Sequence, residues 1–338
     1  MPRIIAITFA ALVAGAVFVA GYFQWSSNQP VTGSARFIIS PGQGASTVAR
    51  GLVDAGVLAE PYSFTLWSYQ KGYTGSLKAG EYEIERNTTL IRLLEKLVKG
   101  DVVTYSITFI EGWTFRQILD QLNRNKKLKH IIDQLTDKEI MTELGHPNLH
   151  PEGRFFPDTY VFDSNTLDID ILRRALHSMS SVVDREWKNR DPDIKLKNKD
   201  EALILASIIE KETGKTGERE TISAVFYNRL NKKMRLQTDP TVIYGLGDQF
   251  KGNLKRAHLK QDTPYNTYTR FGLPPTPIAN PGAGAIRAAM NPAPTQVLYF
   301  VSRGDGSHQF SKTLKEHNRA VVKYQLGGKN KPISSSDE

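Results

Sequence analysis

The chain has 338 residues, 23% of them charged and 40% apolar, enough for two domains with cores of their own. It contains no cysteine, which excludes disulfides and thiol chemistry and leaves any exported body to be stabilised by its core alone. The formal charge of +9 suits an anionic surface such as cell-wall polymer, phospholipid or nucleic acid, and suits general solubility equally well.

Ile4 to Phe23 is a run of 20 residues without a charge, long enough to cross a bilayer as a helix. Arg3 precedes it and the next charge is Arg36, so the positive-inside rule places the N-terminus in the cytoplasm and the body outside. Tyr22 and Trp25 suit the outer interface. A cleaved signal peptide with Ala14-Gly-Ala16 as its site is the rival reading. The apolar run continues past that site to Phe23, which favours an uncleaved anchor over residues 1–25.

A short polar linker is expected over 26–34. A strand, a turn and a threonine-led helix then recur three times. Phe37–Ile39 precedes Thr47–Leu52, Tyr82–Ile84 precedes Thr89–Leu94, and Ile107–Ile110 precedes Thr114–Leu119. Threonine, or Ser46 ahead of Thr47, is a natural N-cap, and Gly42, Gly80 and Gly112 serve the turns. The copies predict a small α+β binding or spacer module over 35–125. A polar connector is expected over 126–151. The basic run Arg124–Lys129 lacks interleaved aromatics, so nucleic acid is not an expected partner. His146 and His150 are four apart, but Pro147 opposes a helix and no HExxH glutamate is present, so no metal site is expected.

A second domain is expected over 152–326, with helices over Ile169–Trp187, Asp200–Thr213 and Thr221–Leu230. Proline and glycine punctuate the chain from Gln237 onward, so loops dominate until Ala283–Ala289 and a strand at Val297–Val301. Residues 327–338 read as a disordered tail. No nucleophile elbow, P-loop or dinucleotide fingerprint appears, so carboxylates are the chief candidates for chemistry and no cofactor is expected.

The segment Ala202–Gly214 (ALILASIIEKETG) stands out. Ala202, Leu205, Ala206 and Ile209 form one apolar stripe, while Leu203, Ile204 and Ile208 fill the other side, so the helix belongs in a core. At 100° per residue its two glutamates, Glu210 and Glu212, point about 200° apart and cannot share one cleft. Either can be an ordinary polar residue at a frayed helix end. Glu210 can instead be the buried partner of Arg229 or Arg235. A carboxyl carried out of apolar surroundings holds its proton near neutrality, as protonating a glycosidic oxygen requires.

Five motifs resemble the endolytic murein transglycosylases of the YceG-like family. They are Ala206–Thr213, Arg235–Gly245 (RLQTDPTVIYG), Tyr265–Tyr268 (YNTY), Gly272–Gly282 (GLPPTPIANPG) and Glu152–Tyr160 (EGRFFPDTY). Leu298–Val301 and Glu316–Asn318 match as well, and the resemblance covers nearly the whole chain. It implies an α+β protein of the cell inner membrane, single-pass, with an N-terminal helix, a small LysM-like glycan-binding module and a mainly helical lysozyme-like catalytic domain in the periplasm. The catalytic glutamate of the family falls on Glu212, and Glu212-Thr213 resembles the Glu-Ser pair of lysozyme-like transglycosylases. Gln237, Thr238, Asp239, Tyr244, Tyr265, Asn266 and Tyr268 offer the flat faces and polar tips that sugars need, with turn formation or core packing as the alternative for each. Gly153–Tyr160 can line the groove or pack the domain junction, and packing is the favoured reading. The implied partners are peptidoglycan strands and peptidoglycan synthases, and the implied role is to end strand elongation by a cut that leaves 1,6-anhydro ends. A hydrolytic muramidase on the same fold, with Asp239 as its second acid, and a non-catalytic glycan-binding scaffold are the rival readings.

Overall fold

A computed structural model describes residues 2–326. The expected tail over 327–338 lies outside the described residues. The chain divides into two compact units. Unit 1 holds the residues up to Ser106 with Lys126–Lys129 and Val161–Thr166, and unit 2 holds the remainder.

Unit 1 starts with α1 (Pro2–Ser27), a mostly apolar helix whose side chains from Ile7 to Val19 stand exposed on every face. Ile7–Ser27, 21 residues, is long and apolar enough to cross a membrane. Next come β1 (Ala35–Ile39), α2 (Ala45–Asp54), α3 (Tyr62–Gln70), β2 (Gly80–Ile84), α4 (Leu90–Lys99) and β3 (Thr104–Thr108). β1 and β2 pair antiparallel, Ala35 opposite Ile84. Each helix buries the stripe that its spacing dictates: Ala45, Val48, Ala49 and Leu52 on α2, and Leu90, Leu93, Leu94 and Leu97 on α4. Tyr82 is fully enclosed between them, and its hydroxyl donates to the carbonyls of Lys78 (2.7 Å) and Leu97 (3.2 Å). Gly100 adopts a left-handed φ of 75° and stops α4.

Two expectations change here. The stretch over 26–34 is not a free linker: Ser26, Ser27 and Val31 are buried, Val31 N–H donates to Thr88 O (2.9 Å), and Thr32 N–H donates to Val57 O (2.9 Å). Backbone groups beside a small core find partners there because burial leaves them no water. The three strand–helix copies also part company. Ile107–Asn125, which holds the third copy, belongs to unit 2, so the first division falls at Ser106. Of the three threonines only Thr114 caps with its side chain, in a reciprocal box with Gln117; α2 starts at Ala45 without a side-chain cap, and Thr89 makes none.

Unit 2 contains α5 (Phe115–Asn123), α6 (Asp137–Glu143), α7 (Asp168–Lys188), α8 (Lys199–Glu212), α9 (Arg219–Asn231), α10 (Asp239–Leu246), α11 (Arg256–Lys260), α12 (Ala283–Met290) and α13 (Leu314–Tyr324). β3 and β4 (Thr159–Asp163) form a two-stranded sheet. β5 (Tyr299–Ser302) pairs antiparallel with β6 (His308–Ser311). The expected connector over 126–151 is partly core, since Leu128, Ile132, Ile140 and Met141 are buried.

The axis of unit 2 is α8. Every residue from Ala202 to Ile209 is buried, against Ile222 and Phe226 of α9 and Ala285, Ile286 and Ala289 of α12. Its lone hydroxyl in that run, Ser207, donates to Ile204 O (2.7 Å) and accepts from Ile278 N–H (3.0 Å), so the proline-rich loop before α12 is tied to the helix. Thr213 turns to an extended conformation and ends it.

Glu152-Gly153 braces the same loop. Glu152 is 4% exposed; its Oε1 accepts from Phe115 N–H (3.0 Å) at the start of α5, and its Oε2 from the Tyr244 hydroxyl (3.1 Å). Gly153 has φ +78°, and a Cβ there sits 2.4 Å from Pro277 Cβ. Strain and a clash with a rigid ring add, so Gly153→Ala is expected to destabilise the protein by roughly 2 kcal/mol or more. An unchanged denaturant midpoint for the purified variant rules this bracing out.

Candidate active site

The last turn of α8 carries Glu210, Lys211 and Glu212 in three directions, as the helical angle requires. Glu210 is enclosed. Its Oε2 accepts from Gly282 N–H (2.9 Å) and its Oε1 from Arg219 (3.3 Å), which also reaches Glu111 (3.5 Å). The expectation of a buried basic partner holds, but the partner is Arg219 rather than Arg229 or Arg235. Lys211 Nζ donates to Gly112 O (3.2 Å). Two of the three side chains therefore pin the helix end, and the third is aimed by them.

Glu212 opens on a cavity of about 850 Å³. Burial pushes its carboxyl from 4.5 up to about 7, and the charge of Asp239 adds to the shift. A hydrogen bond from the Thr238 hydroxyl to Glu212 Oε1 opposes it, as do the fields of His308 and Arg229. Desolvation wins, so at neutral pH a large share of Glu212 is protonated.

Thr238 is held by a buried threonine set. Its N–H donates to Thr267 Oγ1 (3.1 Å), its carbonyl accepts from Thr241 Oγ1 (2.7 Å), and Thr241 and Thr267 bond to each other (2.9 Å). Gln237 before it sits at a left-handed φ of 51°. A non-glycine residue there is strained by the order of 1 kcal/mol, and its surroundings hold it: Gln237 N–H donates to Thr267 O (3.2 Å), and Gln237 Oε1 accepts from Arg229 (3.1 Å). Arg229 is 8% exposed and also donates to the carbonyls of Leu298 (2.7 Å), Arg235 (3.2 Å) and Leu236 (3.0 Å). It clamps the 235–237 loop to β5.

Asp239 opens α10 with Pro240 in the first turn, where proline's missing N–H does no harm. Its Oδ1 accepts from the Tyr268 hydroxyl (2.6 Å). Gln237, Asp239 and Tyr268 line the cavity with Glu212, and Thr238 touches Glu212 itself. Three expected sugar-binding residues do not line it. Tyr244 and Tyr265 meet edge to face at 4.9 Å, with their hydroxyls on Glu152 (3.1 Å) and Thr276 (2.9 Å). Asn266 is 1% exposed and its amide donates to the carbonyls of Leu259 (3.1 Å) and Gln261 (2.7 Å). These are packing and turn roles, the alternative that the sequence left open.

The far wall comes from residues outside the site reading. Phe300 and His308 lie on the β5–β6 hairpin and His317 on α13, while Arg235, Arg256 and Lys260 line the cavity too and make it basic. His308 Nδ1 is 2.7 Å from Glu218 Oε2, and its backbone N–H donates to Glu218 Oε1 (3.1 Å), which fixes the ring edge-on to Phe300 at 5.4 Å. Phe300 and His317 fall in the matching segments Leu298–Val301 and Glu316–Asn318, but nothing local assigns them or His308 to the site, since the hairpin returns to Glu218, just before α9, from 90 residues away.

Residues 37–323 match the YceG-like family. An endolytic murein transglycosylase of Bacillus subtilis (strain 168) is 35% identical, with 86% of this chain and 85% of the relative covered. A protein of the same name from Streptococcus pneumoniae serotype 2 (strain D39 / NCTC 7466) is 26% identical over 94% of this chain, which spans 64% of that relative. The crystal structure of a putative yceG-like protein from Listeria monocytogenes superposes with a TM-score of 0.54 at 30% identity, covering 85% of this chain and 98% of that one. With most of its length matched by the family and by a relative of this identity, the chain belongs to the YceG-like family.

Proposed function

We propose that the chain is a membrane-anchored endolytic lytic transglycosylase. It cuts the bond between N-acetylmuramic acid and N-acetylglucosamine inside peptidoglycan strands and leaves 1,6-anhydro ends. The observation that carries this is Glu212, a carboxyl pushed up to about 7 on the wall of a basic cavity. Thr238 occupies Oε1, which leaves Oε2 to hold the transferable proton. Glu212 gives that proton to the leaving glycosidic oxygen as the bond to the anomeric carbon breaks. The substrate's N-acetyl group stabilises the positive charge that develops there. The sugar's C6 hydroxyl then attacks the anomeric carbon, and Glu212, now a carboxylate, takes the hydroxyl proton and is regenerated. An intramolecular nucleophile has a large effective-concentration advantage over water, so no second acid is required.

In this reading α1 is the anchor, with its N-terminus in the cytoplasm and the rest of unit 1 and unit 2 in the periplasm. The compact β1–α2–α3–β2 piece of unit 1 is a LysM-like glycan-binding module, and unit 2 is a lysozyme-like catalytic domain. Tyr268 and Phe300 offer flat faces to sugar rings, Gln237 offers an amide, and the basic wall suits an anionic polymer. Peptidoglycan synthases are the natural partners of an enzyme that ends strand growth.

Hydrolysis is the second reading, favoured by one observation: Asp239 lines the same cavity as Glu212. The common two-carboxylate routes need such a residue as nucleophile or as base for water. In the transglycosylase reading Asp239 acts only through its field, which helps to keep Glu212 protonated.

Glu212→Gln keeps the shape and removes the proton, so turnover of purified peptidoglycan is expected to fall at least about a hundredfold while glycan binding survives. Mass analysis of wild-type products should show ends lighter by one water than hydrolysed ends. Reducing muramic acid ends as the main product would move the assignment to a muramidase, and no cleavage at all would leave a scaffold.

The wild-type kcat/KM is expected to be level in mildly acidic solution and to fall as pH rises through about 7, where Glu212 loses its proton. Asp239→Asn should move that limb to lower pH by removing a negative neighbour. A limb that stays in place excludes Glu212 as the titrating acid.

The same shift has a stability sign. A folded-state value of about 7 against an ordinary 4.5 means that the contribution is fully present below 4.5 and is lost as pH rises through 7. Glu212→Gln removes a buried charge above pH 7, so it is expected to be more stable than wild type at pH 8, by at most about 3 kcal/mol. Thermal unfolding at pH 5 and pH 8 reads this, and a variant whose advantage does not grow with pH contradicts the buried-acid account.

A further inference from the structure

Helix α3 of unit 1 buries Phe64, Trp67 and Ser68 and turns Tyr62, Leu66 and Tyr69 outward, at 77%, 46% and 76% exposure. These three positions, at i, i+4 and i+7, form one stripe opposite the core-facing side. Large side chains are seldom left open in a row without a partner. The partner can be identified from what α3 touches. Trp67 Nε1 donates to Ser26 Oγ (3.3 Å), in the last turn of α1.

That contact sets a depth. At 1.5 Å per residue, the 20 uncharged residues of Ile4–Phe23 extend about 30 Å, roughly the thickness of the hydrocarbon core. Ser26 then lies about 5 Å beyond the hydrocarbon, at the level of the outer headgroups, and Trp67 lies beside it. A helix with its side chains is about 10 Å across, so the exposed stripe of α3 lies within about 10 Å of that level, in reach of the headgroup layer. Tyr22 and Trp25, with rings 5.9 Å apart and both exposed, mark the same level on α1.

We propose that α3 is a second membrane contact, lying in the interfacial layer of the leaflet where α1 emerges, with Tyr62, Leu66 and Tyr69 set among the lipid headgroups. Amphipathic aromatic side chains are at their most favourable at that depth. The contact holds unit 1 against the bilayer instead of letting it swing on a tether. It rests on the reading of α1 as a membrane anchor.

The absence of native cysteine makes the test direct. The full chain with Val13→Cys, Tyr62→Cys, Leu66→Cys or Tyr69→Cys, one at a time, is labelled with an environment-sensitive fluorophore. It is reconstituted into phosphatidylethanolamine–phosphatidylglycerol vesicles with or without nitroxide-labelled lipid. Val13 reports the anchor. Quenching of Val13 by nitroxide lipid, together with loss of most emission at Leu66 and Tyr69, supports the proposal, and Tyr62 serves if either variant fails to fold. If Val13 is quenched by lipid while the α3 labels respond only to aqueous iodide, the anchor stands and α3 docking is overturned. Labels on α3 shielded from both quenchers reveal a protein partner and overturn it as well. An unquenched Val13 removes the anchor and the proposal together.

Discussion

The structure of unit 2 depends on enclosing a helix that is apolar on all sides. Eight consecutive residues of α8 are buried, so α9, α12 and the proline-rich loop must surround it before its ends can be placed. Once it is enclosed, the position of its last turn is no longer adjustable. Glu210 and Glu212 leave the core on opposite sides because a helix advances 100° per residue. One becomes an internal strut and the other faces a cavity.

The surroundings show how a loop can be held as firmly as a helix. Thr238 meets Glu212 because Thr241 and Thr267 satisfy its backbone and because Arg229 spends its guanidinium on three carbonyls and one amide. A buried cation used this way removes the freedom of the 235–237 loop and leaves a field at the acid. The left-handed Gln237 is the visible strain in that arrangement. Strain that persists beside a shifted carboxyl is what a preorganised site looks like when stability and chemistry pull in different directions.

Two carboxyls in unit 2, Glu152 and Glu212, are both pushed up to about 7, mainly by burial. Their neighbours separate their roles. Glu152 accepts from a helix N-terminus and a tyrosine hydroxyl and does not line the cavity, so its acidity serves architecture. Glu212 lines the cavity and has one oxygen without such a donor. A raised pKa alone does not distinguish an active acid from a structural one; access to a ligand-sized space does.

The sequence by itself determined that α8 is buried, that Glu210 and Glu212 diverge, that Ile4–Phe23 can span a bilayer, and that the helices of unit 1 bury single stripes. Each of these follows from local periodicity, which acts over a few residues. It also marked Gln237, Thr238, Asp239 and Tyr268, which the fold brings together at Glu212. It could not separate them from Tyr244, Tyr265 and Asn266, because an aromatic ring with a polar tip looks the same in sequence whether it faces a cavity or a buried glutamate. It assigned Gly153–Tyr160 to packing and did not mark Glu152 just before it as a buried acid. Only tertiary structure decided that Arg219 is the partner of Glu210, that Arg229 clamps a loop, that the third strand–helix copy belongs to unit 2, and that Phe300, His308 and His317 complete the cavity. Those outcomes depend on which distant segments a closed core brings into contact, and desolvation and long-range pairing leave no period in the chain.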